Sequence, residues 1–283
     1  MIDTHAHYTH KLFENTYRFL TYENDRFSIA EGGVKDIIEK LKDSGVTAYV
    51  EPAIDIESNY KALELRKDHE DFVYVAVGVH PNRVANTPWE RRLELESLAD
   101  RQGVVAIGET GLDYHYKRRE QKRFRQKKWF KYQLDLAYKQ RLPLVLHIRK
   151  ADRAAIRILN RHKDMIIGGV VHCYNDNEKI AKKYLKLGLY FGIGGILLQN
   201  NERGDTLRRA LKIIPMDRIL LETDAPFVMP DVSTESGDKF PKKVRNSSFT
   251  ILAVAKEIAS IKGLDVKTVQ DITTQNAKTL FKI

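Results

Sequence analysis

The stretch Val34-Lys35-Asp36-Ile37-Ile38-Glu39-Lys40-Leu41-Lys42-Asp43-Ser44-Gly45-Val46-Thr47-Ala48-Tyr49-Val50-Glu51 reads as a helix, a stop and a strand. Val34, Ile37, Ile38 and Leu41 recur at i, i+3, i+4 and i+7, the stripe of a helix with one apolar face. Gly45 ends it, and Val46 to Glu51 then forms a short β-branched run closed by an acid. The same unit repeats along the chain. Runs expected as strands are Met1 to Thr4, Val46 to Glu51, Val73 to Val79, Val104 to Gly108, Pro143 to His147, Ile166 to His172, Leu189 to Ile193 and Ile219 to Glu222. Helical periodicity fills the intervals, at Ser58 to Glu70, Trp89 to Asp100, Arg119 to Gln140, Ala151 to Arg161, Asp176 to Leu187 and Arg203 to Ile213. Two more helices, Phe249 to Lys262 and Val266 to Leu280, close the chain.

Eight strands alternating with helices call for a parallel sheet, and eight is the number that closes a TIM-type (β/α)8 barrel. An open doubly wound sheet would need a glycine-rich dinucleotide fingerprint, which the sequence lacks. At 283 residues, with no linker or low-complexity tract, residues 1–283 read as a single barrel domain. Two segments are longer than plain connections, Tyr8 to Gly33 after the first strand and Ala225 to Asn246 after the eighth. Both are expected as loops at the face where barrels of this kind build active sites.

With 42% hydrophobic and 30% charged residues the chain has the composition of a soluble globular protein. No apolar run approaches the roughly 18 residues of a membrane span, and the N-terminus has neither the basic nor the apolar region of a leader. A cytoplasmic protein without a membrane partner is expected. The single cysteine, Cys173, excludes an intramolecular disulfide. A formal net charge of +10 points to an anionic partner such as nucleic acid. The charge is concentrated between Lys117 and Lys131, where nine of fifteen residues are lysine or arginine. That run is either a phosphate-binding ridge with Phe124, Trp129 or Tyr132 available for stacking, or the solvated face of an outer helix. Lys242, Lys243 and Arg245 pose the same choice in the last loop.

His5 and His7 lie two apart on the first expected strand, so both imidazoles point the same way. Reading the C-terminal ends of the other strands adds Glu51, His80, Glu109, His147, His172 and Asp224. Glu51, which precedes Pro52, reads equally as a turn cap. Aligned acids and histidines at one barrel face carry a desolvation cost that a bound cation offsets. Four imidazoles and two carboxylates exceed what one tetrahedral ion takes, and the count suits two metals. Mixed nitrogen and oxygen donors accept Mg2+, Mn2+ or Zn2+.

His5-Ala6-His7, Gly108-Glu109-Thr110-Gly111-Leu112-Asp113-Tyr114, Leu146-His147-Ile148-Arg149, His172-Cys173 and Glu222-Thr223-Asp224-Ala225-Pro226 together resemble the TatD family of metal-dependent deoxyribonucleases, within the amidohydrolase superfamily. The resemblance runs from residue 1 to Asn276-Ala277 and Leu280-Phe281. It implies a hydrolase with DNA as substrate, acting on single strands or ends through a water activated between two metals. By the same resemblance His5, His7 and Asp224 hold one ion, His147 and His172 hold the second, and Glu109 bridges the two. Asp224 orients or deprotonates the water, so Asp224 and Glu109 are the expected catalytic pair. His80, Arg149 and Asn246 are the expected substrate contacts, Arg149 through its planar fork. In the resembling family cysteine is frequent where this chain has Ala6, and many members carry Asn-Glu-Pro where it has Asn246-Ser247-Ser248. The same scaffold could instead hydrolyse or deaminate a small molecule, or bind nucleic acid without turning it over.

Overall fold

The computed structural model describes residues 1–115, 120–232, 241 and 243–283; Lys117, Arg118, Arg119 and Lys242 lie outside the described residues. Strands are β1 (Ile2–Asp3), β2 (Tyr17–Glu23), β3 (Arg26–Gly32), β4 (Ala48–Pro52), β5 (Val73–Val77), β6 (Val104–Asp113), β7 (Leu144–Arg149), β8 (Gly169–Val171), β9 (Tyr190–Ile193) and β10 (Ile219–Leu221). Helices are α1 (Val34–Asp43), α2 (Ile56–Lys67), α3 (Arg92–Ala99), α4 (Glu120–Gln140), α5 (Asp152–Arg161), α6 (Glu178–Leu185), α7 (Glu202–Leu211), α8 (Ile251–Lys262) and α9 (Val266–Phe281). Each run expected as a strand overlaps one, and β4, β6 and β7 continue past the expected ends, to Pro52, Asp113 and Arg149. Eight of them form a parallel sheet in the order β1-β4-β5-β6-β7-β8-β9-β10. The fold is the TIM-type (β/α)8 barrel that the alternation predicts. No helix among the described residues is long and apolar enough to cross a membrane.

The chain packs as two compact units. The first comprises Met1–Tyr49, Cys173–Ala181 and Phe191–Ala277. In it the ends of the barrel sheet meet, since the backbone N–H and the hydroxyl of Thr4 both donate to the Leu221 carbonyl at 2.9 Å. The α1 stripe is fully buried at Ile37, Ile38 and Leu41, worth about 1.5–3 kcal/mol per side chain.

The segment expected as a loop after the first strand is instead a β-hairpin in its second half. β2 and β3 pair antiparallel from Tyr17↔Gly32 to Glu23↔Arg26. Asn24 and Asp25 make the two-residue turn, both with positive φ, 47° and 66°. Such a turn matches the right-handed twist of the flanking strands, and asparagine and aspartate tolerate the left-handed region best after glycine. Phe19 and Leu20 of β2 are fully buried. The hairpin also anchors the last loop, because Leu20 N–H donates to the Arg245 carbonyl and Arg245 N–H to the Arg18 carbonyl, at 3.0 and 2.8 Å.

The second unit comprises Val50–His172, Lys182–Tyr190 and Lys278–Ile283. Here β5, β6, β7 and β8 pair in parallel. α4 turns Trp129, Phe130, Gln133, Leu134, Leu136 and Ala137 inward and leaves Lys122, Arg123, Arg125, Lys127, Lys128 and Lys131 exposed. Three buried side-chain amides act as peptide mimics, each bonded to both the N–H and the C=O of one residue. Asn59 brackets Gly78 at 2.9 and 3.0 Å, Gln133 brackets Val79 at 2.8 and 3.0 Å, and Gln126 brackets Asp113 at 3.1 Å on both sides. They supply partners for backbone groups that leave the sheet ladder at the strand ends.

Replacing Gln133 by leucine keeps the volume but strips the buried Val79 N–H and C=O of their partner. A loss of about 2–3 kcal/mol in urea unfolding is expected; a loss under about 0.5 kcal/mol would show that the bracket carries no stability.

Candidate metal centre

In the first unit β1 delivers His5 and His7 beside the segment that follows β10. His7 N–H donates to the Ala225 carbonyl at 2.7 Å and Asp224 N–H donates to the His5 carbonyl at 2.8 Å. Asp224 itself sits at φ 54°. The two imidazole Nε2 atoms are 3.1 Å apart, and lie 3.7 Å (His5) and 3.4 Å (His7) from Asp224 Oδ1. Donors bonded to one cation at about 2.1 Å stand about 3.0 Å apart in octahedral and about 3.4 Å apart in tetrahedral geometry. The His5–His7 and His7–Asp224 edges fall in that range, and the His5–Asp224 edge is about 0.3 Å longer.

Behind it lies Asp3, fully buried. Its carboxylate accepts the N–H groups of His5 and Thr223 at 3.1 Å each and the Thr223 hydroxyl at 2.7 Å. Burial pushes its pKa up to about 6 against the pull of these bonds and of Ser248. Asp3 thus pins the histidine segment to the Asp224 segment. Asp3, His5 and His7 share one face by alternation, and that spacing was the sequence signal for it.

In the second unit β6 carries Glu109 and ends with Asp113, β7 carries His147 two residues before its end, and β8 is followed directly by His172. His172 Nε2 lies 3.0 Å from Glu109 Oε1, His147 Nδ1 lies 3.2 Å from the same oxygen, and the two imidazole nitrogens are 3.0 Å apart. This second triangle has the edge lengths of a coordination polyhedron as well. His147 is held from its other side by Asp113, whose Oδ2 is 3.4 Å from Nε2. Asp113 also accepts from His115 N–H at 2.9 Å and the Asn82 amide at 2.6 Å. Burial would raise the Asp113 carboxyl, but His147 and these donors outweigh it and hold it well below the usual range. Burial would likewise depress His147, and the bonds to Asp113 and Glu109 overcome it to reach about 9. A proton on Nε2, facing Asp113, leaves the Nδ1 lone pair of the neutral ring for the cluster.

His80 faces the same cluster, its ring 4.2 Å from that of His147 and its Nε2 3.9 Å from Glu109 Oε1. Burial and then the charge of His147 push its pKa down to about 3. Its Nδ1 accepts the Asn82 N–H at 3.0 Å, so the neutral ring carries its proton on Nε2, toward Glu109. His80, Glu109 and His147 offer donor atoms that all lie within 4.8 Å of one another.

The other expected site residues have different settings. Arg149 stands exposed at the end of β7, in the unit of His147. Glu51 is fully buried within β4. Asn246 is fully buried in the first unit, donating to the carbonyls of Thr223 at 2.9 Å and Val228 at 3.2 Å while accepting from Ser247 N–H and the Thr250 hydroxyl. Ser247 and Ser248, which stand where the family resemblance leads one to expect Glu-Pro, are buried too. Ser247 donates to the Leu20 carbonyl and Ser248 meets the Tyr8 hydroxyl at 2.8 Å. Both serines thus fasten this loop within the first unit. Sequence reasoning gave no role to Asp113, although it follows Glu109 by four on one strand and so shares its face.

Fold and donors together define a class, a parallel barrel that sets imidazole and carboxylate clusters at the ends of its strands. The TatD-related DNase family matches residues 2–282, and the chain belongs to it. It is 31% identical over its whole length to the uncharacterized metal-dependent hydrolase YabD of Bacillus subtilis, covering 99% of that protein. It is 33% identical to the 3'-5' ssDNA/RNA exonuclease TatD of a Rahnella species, over 87% of this chain and 91% of that one. The crystal structure of the TatD homolog YJJV from Escherichia coli superposes with a TM-score of 0.81 at 25% identity, over 100% of this chain and 98% of that one.

A divalent cation entering the second triangle must displace the Nδ1 proton that His147 holds up to about pH 9. Below that pH binding releases a proton, so affinity for Mn2+ is expected to rise between pH 7 and pH 9. Calorimetry in buffers of different ionisation enthalpy should count that proton at pH 7.5, and Asp113→Asn should remove most of it by lowering the His147 pKa. Affinity that falls with pH over this window would contradict the arrangement.

Proposed function

We propose that this chain is a metal-dependent phosphodiesterase that cleaves DNA, acting on single strands or ends with two divalent cations. His5, His7 and Asp224 hold one of them, and Glu109, His147 and His172 hold the other. The observation that carries this reading is the pair of donor triangles, each with edges of 3.0 to 3.7 Å among buried or nearly buried groups. The name of the Rahnella relative and the exposed cationic face of α4 support nucleic acid as the substrate.

Divalent cations supply Lewis acidity there, easing ionisation of water and drawing charge from phosphoryl oxygens. The residues of the chain do the rest. Asp224, 16% exposed, is the carboxylate of its triangle and can orient a water and accept its proton. His80 stays neutral above about pH 3 and can donate its Nε2 proton to a phosphoryl oxygen as negative charge builds. Asp113 holds His147 in the tautomer that leaves Nδ1 free. Arg149 at the rim matches a phosphate with its planar fork. Asn246 contributes by fixing the Thr223 to Val228 segment that carries Asp224.

End-labelled single- and double-stranded DNA should be cut by the wild type with Mg2+ or Mn2+, and not in the presence of chelator. Glu109→Ala should lower kcat/KM by about a thousandfold or more while leaving the circular dichroism spectrum unchanged. Cleavage that survives either treatment overturns the mechanism.

A further inference from the structure

Within the second unit, a cleft of about 750 Å3 lies between the segment Val84 to Trp89 and the first half of α4, with Phe124, Arg125, Lys128 and Trp129 along the helix side. We infer that this cleft is a docking site for single-stranded nucleic acid beside the candidate metal centre. The inference rests on the nucleic-acid reading above and adds a place and a mode of grip. Phe124 is 70% exposed, an unusual setting for a phenyl ring and one that presents a face to a base. Arg125 and Lys128 are held ready in the cleft. Arg125 donates one guanidinium N–H to the Ala85 carbonyl at 3.1 Å, and the Lys128 ammonium rests 3.8 Å from the centre of the Trp89 ring. Cations anchored this way lose less side-chain freedom when a phosphate arrives.

No acidic residue lines the cleft among the described residues, and Lys122, Arg123, Lys127 and Lys131 extend the same charge along the exposed face of α4. An aromatic face with flanking cations is the chemistry that grips a strand without reading its sequence. The cleft is also tied rigidly to the reacting end of the unit. Gln126, between Phe124 and Trp129, donates to the Pro81 carbonyl and brackets Asp113, the partner of His147. A strand seated here thus has a fixed position relative to His80 and His147.

Both tryptophans of the chain, Trp89 and Trp129, line the cleft, so intrinsic fluorescence reports its occupancy. The full-length protein in EDTA, titrated with a twelve-residue oligothymidylate, should lose tryptophan emission in parallel with anisotropy of a labelled strand. Phe124→Ala should weaken binding by about fivefold or more. Lys128→Gln should weaken it and flatten the dependence of log K on log salt by about 0.7. Lys212→Gln, at an exposed lysine after α7 in the other unit, should bind within about twofold of wild type. Both cleft side chains are exposed, so unchanged thermal unfolding is expected for their variants. Absence of binding, binding without an emission change, wild-type affinity in both cleft variants, or equal quenching by polyglutamate overturns the inference. Cleavage in Mn2+ with an unchanged KM in both cleft variants would remove the cleft and leave the hydrolytic reading standing. Quenching with the expected variant losses, but no cleavage of any strand, would remove the hydrolytic reading and leave the cleft.

Discussion

Lone pairs held about 3 Å apart repel one another unless a proton or a cation lies among them. In the second unit His147 Nδ1, His172 Nε2 and Glu109 Oε1 stand 3.0 to 3.2 Å apart, and in the first His5, His7 and Asp224 stand 3.1 to 3.7 Å apart. Folding brings these groups together against their own electrostatics and out of water. The surrounding structure must therefore supply both the compensation and the rigidity, and much of what is unusual here does one or the other.

Compensation comes from groups aimed at the far sides of the ligands. Asp113 faces His147 Nε2 at 3.4 Å, Asn82 donates its backbone N–H to His80 Nδ1, and both Asn82 bonds converge on the same corner. Rigidity comes from the paired amide brackets. A glutamine or asparagine that satisfies both the N–H and the C=O of one residue fixes that peptide's position and rotation together, which a single bond does not. Asn59 and Gln133 do this on the two residues before His80, and Gln126 does it at Asp113. In the first unit Asp3 and Asn246 play the same part around Thr223, Asp3 accepting its N–H and hydroxyl and Asn246 donating to its carbonyl, while Asp3 also accepts the His5 N–H.

The barrel was legible because parallel strands buried on both faces leave short apolar runs between amphipathic helices, and the candidate donors stood out because most of these runs end on or just before one. His5, Glu109, His147, His172 and Asp224 all close or follow such runs. What the linear pattern could not carry were side chains acting through others. Asp113 lies beyond the apolar run of β6, where Gly111 at φ 134° interrupts any simple strand reading, and its importance exists only once His147 is beside it. The hairpin of β2 and β3 was hidden for another reason. Its turn is Asn-Asp rather than the asparagine-glycine pair that announces such turns, and only β2 is half apolar.

The basic run on α4 shows why competing readings of one segment need not exclude each other. The described cations from Lys122 to Lys131 do form a solvated helix face, as amphipathic packing requires, and Gln126, Trp129, Phe130 and Gln133 do face inward. Yet a helix whose exposed face served solubility alone would gain nothing from leaving Phe124 in water or from laying Lys128 across a tryptophan. Those two features have a cost in exposed apolar area and in lost side-chain freedom. The inward glutamines tie this helix to the peptides that carry His80 and Asp113, so the outer face inherits the precision of the inner one. A surface that is both cationic and rigidly referenced to a cluster of metal-type donors is what binding of a long polyanion near a reacting centre demands, because misplacement by even an ångström along the strand would present the wrong bond.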